Sequence, residues 1–149
     1  MRQFLKSLFF CALALNFCLT GGCARIKPPE GVKPVERVLE ATGYCSCGKC
    51  CGWHRKWGRP VDNASGKPRK IGLTASGRMA RPGTIAADTR KYPFGTVMFV
   101  KGYGYGRVED RGGSIKGDRI DLYFNSHRQA LEWGRKKVRV KIWFPSPER

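Results

Sequence analysis

The chain has 149 residues, and its 29 lysines and arginines against 11 aspartates and glutamates give a formal net charge of +18 at pH 7. This length fits one domain. A charge this positive favours anionic over cationic partners, but by itself it does not distinguish an enzyme from a binding module.

The first 22 residues have the pattern of a secretory signal. Arg2 and Lys6 precede an apolar run, Leu8–Leu19, that is too short to span a bilayer comfortably. The following Thr20-Gly-Gly-Cys23 resembles a bacterial lipobox, although Thr20 stands where that box usually has leucine. We therefore predict a signal peptide over residues 1–22 and a lipid on Cys23. The alternative is ordinary cleavage, which would leave Cys23 as a spare thiol.

A signal of this kind indicates export to the bacterial cell envelope, with the protein anchored at the periplasmic face of a membrane. Loss of Arg2 and Lys6 with the signal would leave a net charge of 18 − 2 = +16. The expected partners are therefore anionic envelope polymers and, through the lipid anchor, the membrane. Nucleic acid is not expected, because it would be the default partner only for a cytosolic chain.

The segment after the signal predicts a tether and then a folded domain. Residues 23–35 include three prolines and show no apolar period, as in an extended linker. The domain is expected over residues 36–145 and begins with a strand, Arg37–Tyr44. Gly52–Lys70 is basic and punctuated by glycine and proline, which predicts a long surface loop.

Four cysteines cluster directly after the first predicted strand. In an exported protein, four cysteines suggest two disulfides, here acting as a clamp. A bond between the neighbours Cys50 and Cys51 is geometrically poor, so each of them would pair with Cys45 or Cys47. Zinc is the alternative, since Cys47 and Cys50 have metal-like spacing and His54 is near. We favour disulfides and predict no metal.

Short strand signals and one helix follow. Ser126 to Gln129 fits a capping box, and Gly134 is a plausible helix stop. Short strands, one small helix and glycine-rich turns predict a mainly β fold, a small closed barrel. The predicted strands are Gly72–Ala75, Thr84–Asp88, Thr96–Val100, Gly106–Asp110, Arg119–Phe124 and Val138–Phe144.

Three aspartates stand at or near the ends of three of these strands. They are Asp88, Asp110 and Asp121, in a chain that otherwise has few acids. Strand alternation points Ile120 and Leu122 to one face and Asp121 to the other. Clustered carboxylates repel one another, so one should have a raised pKa and remain protonated near neutrality. A neutral carboxylic acid can donate a proton to a leaving group, which suggests acid catalysis.

Residues 72–142 resemble the 3D domain of bacterial cell-wall enzymes, which is named for three aspartates, and the catalytic barrel of membrane-bound lytic transglycosylase A. The resemblance covers about half the chain and implies a double-psi β-barrel. The matching motifs are Leu73-Thr-Ala-Ser-Gly77, Ile85-Ala-Ala-Asp88, Pro93-Phe-Gly-Thr96, Gly102-Tyr-Gly-Tyr-Gly106, Glu109-Asp-Arg-Gly-Gly-Ser-Ile-Lys-Gly117, Arg119-Ile-Asp-Leu-Tyr123, Ala130-Leu-Glu-Trp-Gly134 and the strand Val138–Ile142.

The resemblance implies lytic cleavage of peptidoglycan between N-acetylmuramic acid and N-acetylglucosamine. The C6 hydroxyl of the muramic acid attacks its own C1 and leaves a 1,6-anhydro end, so one acid/base group suffices where a hydrolase usually needs two carboxylates. By resemblance, Asp121 occupies the acid/base position. Asp110 would raise the pKa of Asp121 and help to stabilise the oxocarbenium-like transition state, and Asp88 would complete the cluster.

The resemblance also implies residues that contact the substrate. Thr74 and Ser76 fall where hydroxyls of the family line the groove, and Gly113 and Lys116 fall where a turn meets the sugar. Lys116 would bind a substrate carboxylate or, alternatively, pair with Asp118.

We therefore predict a peptidoglycan lytic transglycosylase that acts in cell-wall remodelling, binds glycan strands and needs no cofactor. The alternative is a non-catalytic wall-binding module that keeps the barrel and groove. The complete aspartate triad favours the enzyme, because a pure binder would not need it. A basic nucleic-acid-binding barrel is a third and weaker hypothesis, which predicts steeply salt-dependent DNA retention.

Overall fold

The structure is a computed structural model that describes residues 26–146. The predicted signal peptide and Cys23 lie outside the described residues. Residues 26–34, most of the predicted tether, contain no helix or strand, and the first strand begins at Val35. Across residues 26–146, no helix is both long enough and apolar enough to cross a membrane.

Eight strands and two short helices make up the described fold. The helices are α1 (Gly48–Cys51) and α2 (His127–Trp133). The strands are β1 (Val35–Tyr44), β2 (Trp53–Lys56), β3 (Arg59–Asp62), β4 (Thr84–Ala87), β5 (Val97–Val100), β6 (Gly104–Asp110), β7 (Arg119–Tyr123) and β8 (Lys136–Trp143).

Six of these strands close into a barrel in the order β1-β7-β4-β6-β5-β8, and β8 pairs with β1 to complete the ring. Two of the barrel pairs are parallel, β1 with β7 and β4 with β6, and the others are antiparallel. Parallel partners cannot be joined by a tight hairpin, so each pair is contributed by distant parts of the chain. The predicted mainly β barrel with one short helix is confirmed, and the one-turn α1 is an addition to it.

Alternation along the strands fills the barrel interior with apolar side chains. In β7, Ile120 and Leu122 are fully buried, as their alternation with Asp121 predicts. The interior is formed by Leu39, Ala41, Ile85, Ala87, Tyr92, Met98, Val100, Val108, Ile120, Leu122, Val140 and Ile142. The strand residues that alternate with these interior residues therefore point to the outer face of the barrel. The polar residues of β1, β6 and β7 lie on that face.

Helix α2 begins and ends as its sequence predicts. The Ser126 side chain accepts a hydrogen bond from the Gln129 backbone N–H at 3.3 Å, and the Gly134 N–H donates to the Ala130 carbonyl at the other end. The helix packs closely on β1 at Gly43. A Cβ at that position would lie 2.8 Å from the Ala130 carbonyl oxygen, so the contact requires glycine.

Two predictions about secondary structure are wrong. Gly72–Ala75 is not a strand, because its backbone turns and makes only an isolated bridge between Leu73 and Met79. The predicted loop Gly52–Lys70 contains the hairpin of β2 and β3. Its two-residue turn is Trp57-Gly58, both at positive φ, a conformation for which Asn-Gly or Asp-Gly is the usual signal. Because tryptophan occupies the first turn position, the sequence lacks the usual signal and the hairpin was not predicted.

Candidate functional site

Asp110 and Asp121 flank the same residue of strand β4. Ala86 is the register partner of Asp110 in the parallel pair with β6 and of Asp121 in the antiparallel pair with β7. A β-bulge between Ile85 and Ala86 shifts the register and brings Asp110 level with this position. Two of the three predicted acids therefore lie on the two strands that flank β4, one on each side of Ala86.

Asp121 is half-buried on the outer face of the barrel. The hydroxyl of Thr42, its register partner on β1, donates a hydrogen bond to Asp121 Oδ1 at 2.9 Å. Nearby on the same face, Tyr44, Ala86 and Tyr123 form a small apolar cluster beside the cysteines. This cluster reduces the access of water to the outer face around Asp121.

Asp110 is held by three donors. The Tyr44 hydroxyl donates to Oδ2 at 3.1 Å, and the backbone N–H groups of Ala75 and Arg111 each donate to Oδ1 at 2.9 Å. Burial, and then the charge of Asp110, raise the pKa of Tyr44 above its ordinary value, so its hydroxyl remains a donor. Asp110 is thus fixed as an acceptor beside Asp121.

The electrostatic environment keeps Asp121 protonated to unusually high pH. Burial raises the pKa of the Asp121 carboxyl to about 6, and the hydrogen bonds from Thr42 and the Leu122 N–H offset part of that rise. The charge of Asp110 raises the pKa further, by a smaller amount than burial. Sequence reasoning named repulsion between carboxylates as the cause, whereas the larger cause is burial.

Asp88 has a different environment. Its carboxylate accepts two hydrogen bonds from the Arg90 guanidinium, at 3.0 and 2.9 Å, and one from the Gly117 N–H at 3.1 Å. The Arg90 contact and then the Gly117 N–H lower the pKa of Asp88. Within residues 26–146, no hydrogen bond joins Asp88 to Asp110 or Asp121. Asp88 therefore fixes the turn before β7. A catalytic role for Asp88 stays a prediction.

Thr74 and Ser76 belong to a loop that covers the end of β6. The buried Thr74 hydroxyl donates to the Arg78 carbonyl at 2.8 Å and lies 3.1 Å from the Ser76 hydroxyl. The Ser76 N–H donates to the Glu109 carbonyl at 3.1 Å. Thr74 thus shapes the loop, while Ser76 is half-buried and faces a groove.

Gly113 and Lys116 are exposed in the connection between β6 and β7. Asp118, the alternative partner suggested for Lys116, pairs instead with Lys91 at 2.6 Å and accepts a hydrogen bond from the Tyr92 hydroxyl at 2.7 Å. Lys116 is therefore not paired with Asp118.

Two concavities lie on either side of the Thr74–Ser76 loop. A small one is lined by Asp110 together with Tyr44, Arg69 and Tyr123. The larger is an open groove of about 770 Å³, and neither Asp110 nor Asp121 lines it. Its lining includes Lys27, Ser76, Arg78, Phe94, Arg107, Glu109 and Trp143.

The four cysteines are free thiols in this structure, which differs from the expected pair of disulfides. Cys45 Sγ and Cys50 Sγ lie 3.8 Å apart, well beyond the bond length of about 2.05 Å. His54, the histidine considered as a metal ligand, lies instead 2.7 Å from the Asn63 side-chain oxygen. The histidine beside the thiols is His127.

Sequence reasoning missed Thr42, Tyr44 and His127. The first two are a β1 pair on one face, two residues apart, so alternation could have placed them together. Their contacts with the aspartates depend on the pairing of β1 with β7, which no local pattern reveals.

Comparison with known proteins finds a family model that matches part of the chain. Residues 83–144 match the model of the 3D domain family, which confirms the resemblance found in the sequence. The match spans β4–β8 and α2, and it leaves out β1, the cysteines and the β2–β3 hairpin.

Two curated relatives come from Bacillus subtilis. YabE, whose name refers to cell wall shaping, is 43% identical over 58 residues, which are 39% of this chain and 14% of that protein. Cell wall-binding protein YocH is 39% identical over 75 residues, 48% of this chain and 26% of that protein. The chain thus matches only a minor part of each relative's length.

The solved structures with similarity include MltA from Escherichia coli. One crystal structure of MltA has a TM-score of 0.43 and 23% identity, and the match covers 54% of this chain and 30% of that one. A structure of MltA with bound chitohexaose has a TM-score of 0.41 and 22% identity, covering 50% and 28%.

Proposed function

We propose that this protein is a peptidoglycan lytic transglycosylase that cleaves the bond between N-acetylmuramic acid and N-acetylglucosamine and leaves 1,6-anhydro ends. The observation that carries the proposal is the half-buried Asp121, whose pKa is raised to about 6, beside Asp110. A carboxyl group in that environment keeps its proton up to about pH 6 and can transfer it to a leaving oxygen.

In the proposed reaction, Asp121 donates its proton to the glycosidic oxygen as the bond from that oxygen to C1 breaks. The C6 hydroxyl of the muramic acid then forms a bond to C1 and gives its proton to the Asp121 carboxylate. The enzyme returns to its starting state, and no water is consumed. Asp110 carries the fixed negative charge that stabilises the oxocarbenium-like transition state.

Asp110 is suited to stabilise the transition state because three hydrogen-bond donors hold the orientation of its carboxylate. One donor is the Ala75 N–H in the Thr74–Ser76 loop, so the loop that would line the substrate path also positions the carboxylate. Ser76, Gly113 and Lys116 would contact sugar or stem-peptide groups from the exposed edge. Preorganisation of this kind reduces the reorganisation needed in the transition state.

The substrate assignment draws on charge and on the relatives. The chain is strongly basic, and peptidoglycan carries carboxylates on its muramic acid and stem peptides. YocH is named a cell wall-binding protein and shares 39% identity over 75 residues. Export to the envelope, a lipid on Cys23 and a position on the periplasmic face of a membrane are parts of the same proposal.

A second candidate function is wall binding without cleavage, and the name of YocH favours it. Digestion of purified sacculi separates the two. The enzyme should release soluble anhydro-muropeptides, which mass spectrometry detects. The Asp121→Asn variant should still bind sacculi but should release no anhydro-muropeptides. Binding by the unaltered protein without any product would support the wall-binding function, and release undiminished in Asp121→Asn would remove the proposed role of Asp121.

A further inference from the structure

A cluster of three thiols and one imidazole lies beside the aspartate site. It consists of Cys45, Cys47, Cys50 and His127, and one donor atom from each lies within 4.8 Å of all the others. Cys45 directly follows β1, Cys47 precedes α1, and Cys50 lies within α1. His127 is the first residue of α2. We call this group the cysteine–histidine cluster.

We propose that the cysteine–histidine cluster binds one Zn²⁺ ion and that the ion has a structural role. Three thiolates and one imidazole form a Cys₃His donor set, which is a recognised structural zinc set. Soft sulfur ligands with an imidazole favour zinc over magnesium or calcium. Four protein ligands complete a tetrahedron and leave no position for substrate, so the site is not part of the proposed cleavage.

The distances between donor atoms fit a tetrahedral ion. With Zn–S bonds of about 2.3 Å and a Zn–N bond of about 2.1 Å, tetrahedral angles put two sulfurs about 3.8 Å apart and a sulfur and a nitrogen about 3.6 Å apart. Cys45 Sγ and Cys50 Sγ lie 3.8 Å apart. His127 Nδ1 lies 3.6 Å from Cys47 Sγ and 3.3 Å from Cys50 Sγ.

Two other nearby residues are excluded from the ligand set. The Cys51 thiol donates to the Cys45 carbonyl at 3.1 Å and does not join the cluster. The His54 imidazole is engaged with Asn63. Cys47 and His127 line an open surface pocket together with Lys49, which gives an ion a path to the cluster.

The position of the cluster indicates what the ion would stabilise. Cys45 directly follows Tyr44, whose hydroxyl binds Asp110, and His127 begins the helix that packs on β1 at Gly43. An ion shared by these two segments would fix the end of β1 against α2. Zinc would therefore stabilise the face of the barrel that carries Thr42 and Tyr44.

The first test measures metal in the full chain, purified under reducing conditions and dialysed against Zn²⁺ and then against metal-free buffer. We expect one zinc per chain by elemental analysis. Replacement by Co²⁺ should give thiolate-to-cobalt charge-transfer absorption and the visible bands of a tetrahedral site. Cys47→Ser and His127→Ala should each weaken zinc binding at least about tenfold, whereas the matched controls Cys51→Ser and His54→Ala should keep one zinc.

A second measurement keeps the proposal testable if a ligand variant folds poorly. Zinc added to the unaltered chain should raise its thermal midpoint, because the ion binds the folded state, and a chelator should reverse the rise. Metal-free protein lighter by about four hydrogens, as two disulfides would make it, would overturn the proposal. Retention of the zinc by both Cys47→Ser and His127→Ala would overturn it equally.

Discussion

Thr42 and Asp121 are register partners in the parallel pair of β1 and β7, and the Thr42 hydroxyl donates to Asp121 Oδ1 at 2.9 Å. This hydrogen bond favours the ionised carboxylate, so it lowers the pKa of Asp121 against the larger effect of burial. The acid strength of the proposed catalytic group is therefore set in part by a residue that lies 79 positions earlier in the chain.

We predict that Thr42→Val raises the pKa of Asp121 and moves the alkaline limb of the activity profile to higher pH. The valine has nearly the same shape but cannot donate the hydrogen bond. In the unaltered protein, activity on sacculi should fall above about pH 6, as Asp121 loses its proton. The matched control Thr42→Ser keeps a hydroxyl and should keep the original profile. An unchanged profile in Thr42→Val would show that the hydrogen bond does not set the acid strength.

The raised pKa of Asp121 has a consequence for stability. Because its folded-state pKa of about 6 exceeds the ordinary value of 3.8, its contribution to the free energy of unfolding is full below pH 3.8 and is lost as pH rises through 6. Asp121→Asn carries no charge at any pH. We therefore predict that the variant gains stability relative to the unaltered chain between pH 4 and 7, by up to about 3 kcal/mol.

Urea unfolding at a series of pH values measures this difference. A stability difference independent of pH would mean that Asp121 titrates normally in the folded protein. The urea transition also shows whether Asp121→Asn is folded. The same preparation should release no anhydro-muropeptides, and its lost activity could then not be ascribed to lost structure.

Asp88 should behave in the opposite way. Its folded-state pKa is lowered by Arg90 and the Gly117 N–H, so its stabilising contribution is present above pH 3.8 and is lost as pH falls through the lowered value. We predict that Asp88→Asn reduces the free energy of unfolding at pH 7 and that the deficit shrinks in strong acid. Arg90→Gln removes the partner and should reproduce the deficit.

Activity assays distinguish the role of Asp88 from the role of Asp121. If Asp88 acts by holding the turn before β7, folded Asp88→Asn should keep measurable cleavage of sacculi where Asp121→Asn has none. Complete loss in a folded, stable Asp88→Asn would instead place Asp88 in the chemistry.

Gly43 offers a test of the packing between β1 and α2. A Cβ there would lie 2.8 Å from the Ala130 carbonyl oxygen and 3.0 Å from the Ala130 Cα, both backbone atoms that cannot move alone. We predict that Gly43→Ala lowers the free energy of unfolding by about 1–3 kcal/mol, the usual cost of overpacking. Chemical denaturation measures this, and Gly113→Ala is the control, since a Cβ at Gly113 meets nothing within 4 Å. Equal stability of the two variants would contradict the close contact.

The sequence by itself determined the local features of this protein. Alternation of Ile120, Asp121 and Leu122 assigned the carboxyl to the outer face, and the Ser126 capping box located α2, because both signals depend only on neighbouring residues. Tertiary structure decided the rest. Thr42 meets Asp121 across 79 residues, and Cys47 meets His127 across 80. Such contacts, and the burial that raises the pKa of Asp121, arise only when the barrel closes and fixes the register of distant strands.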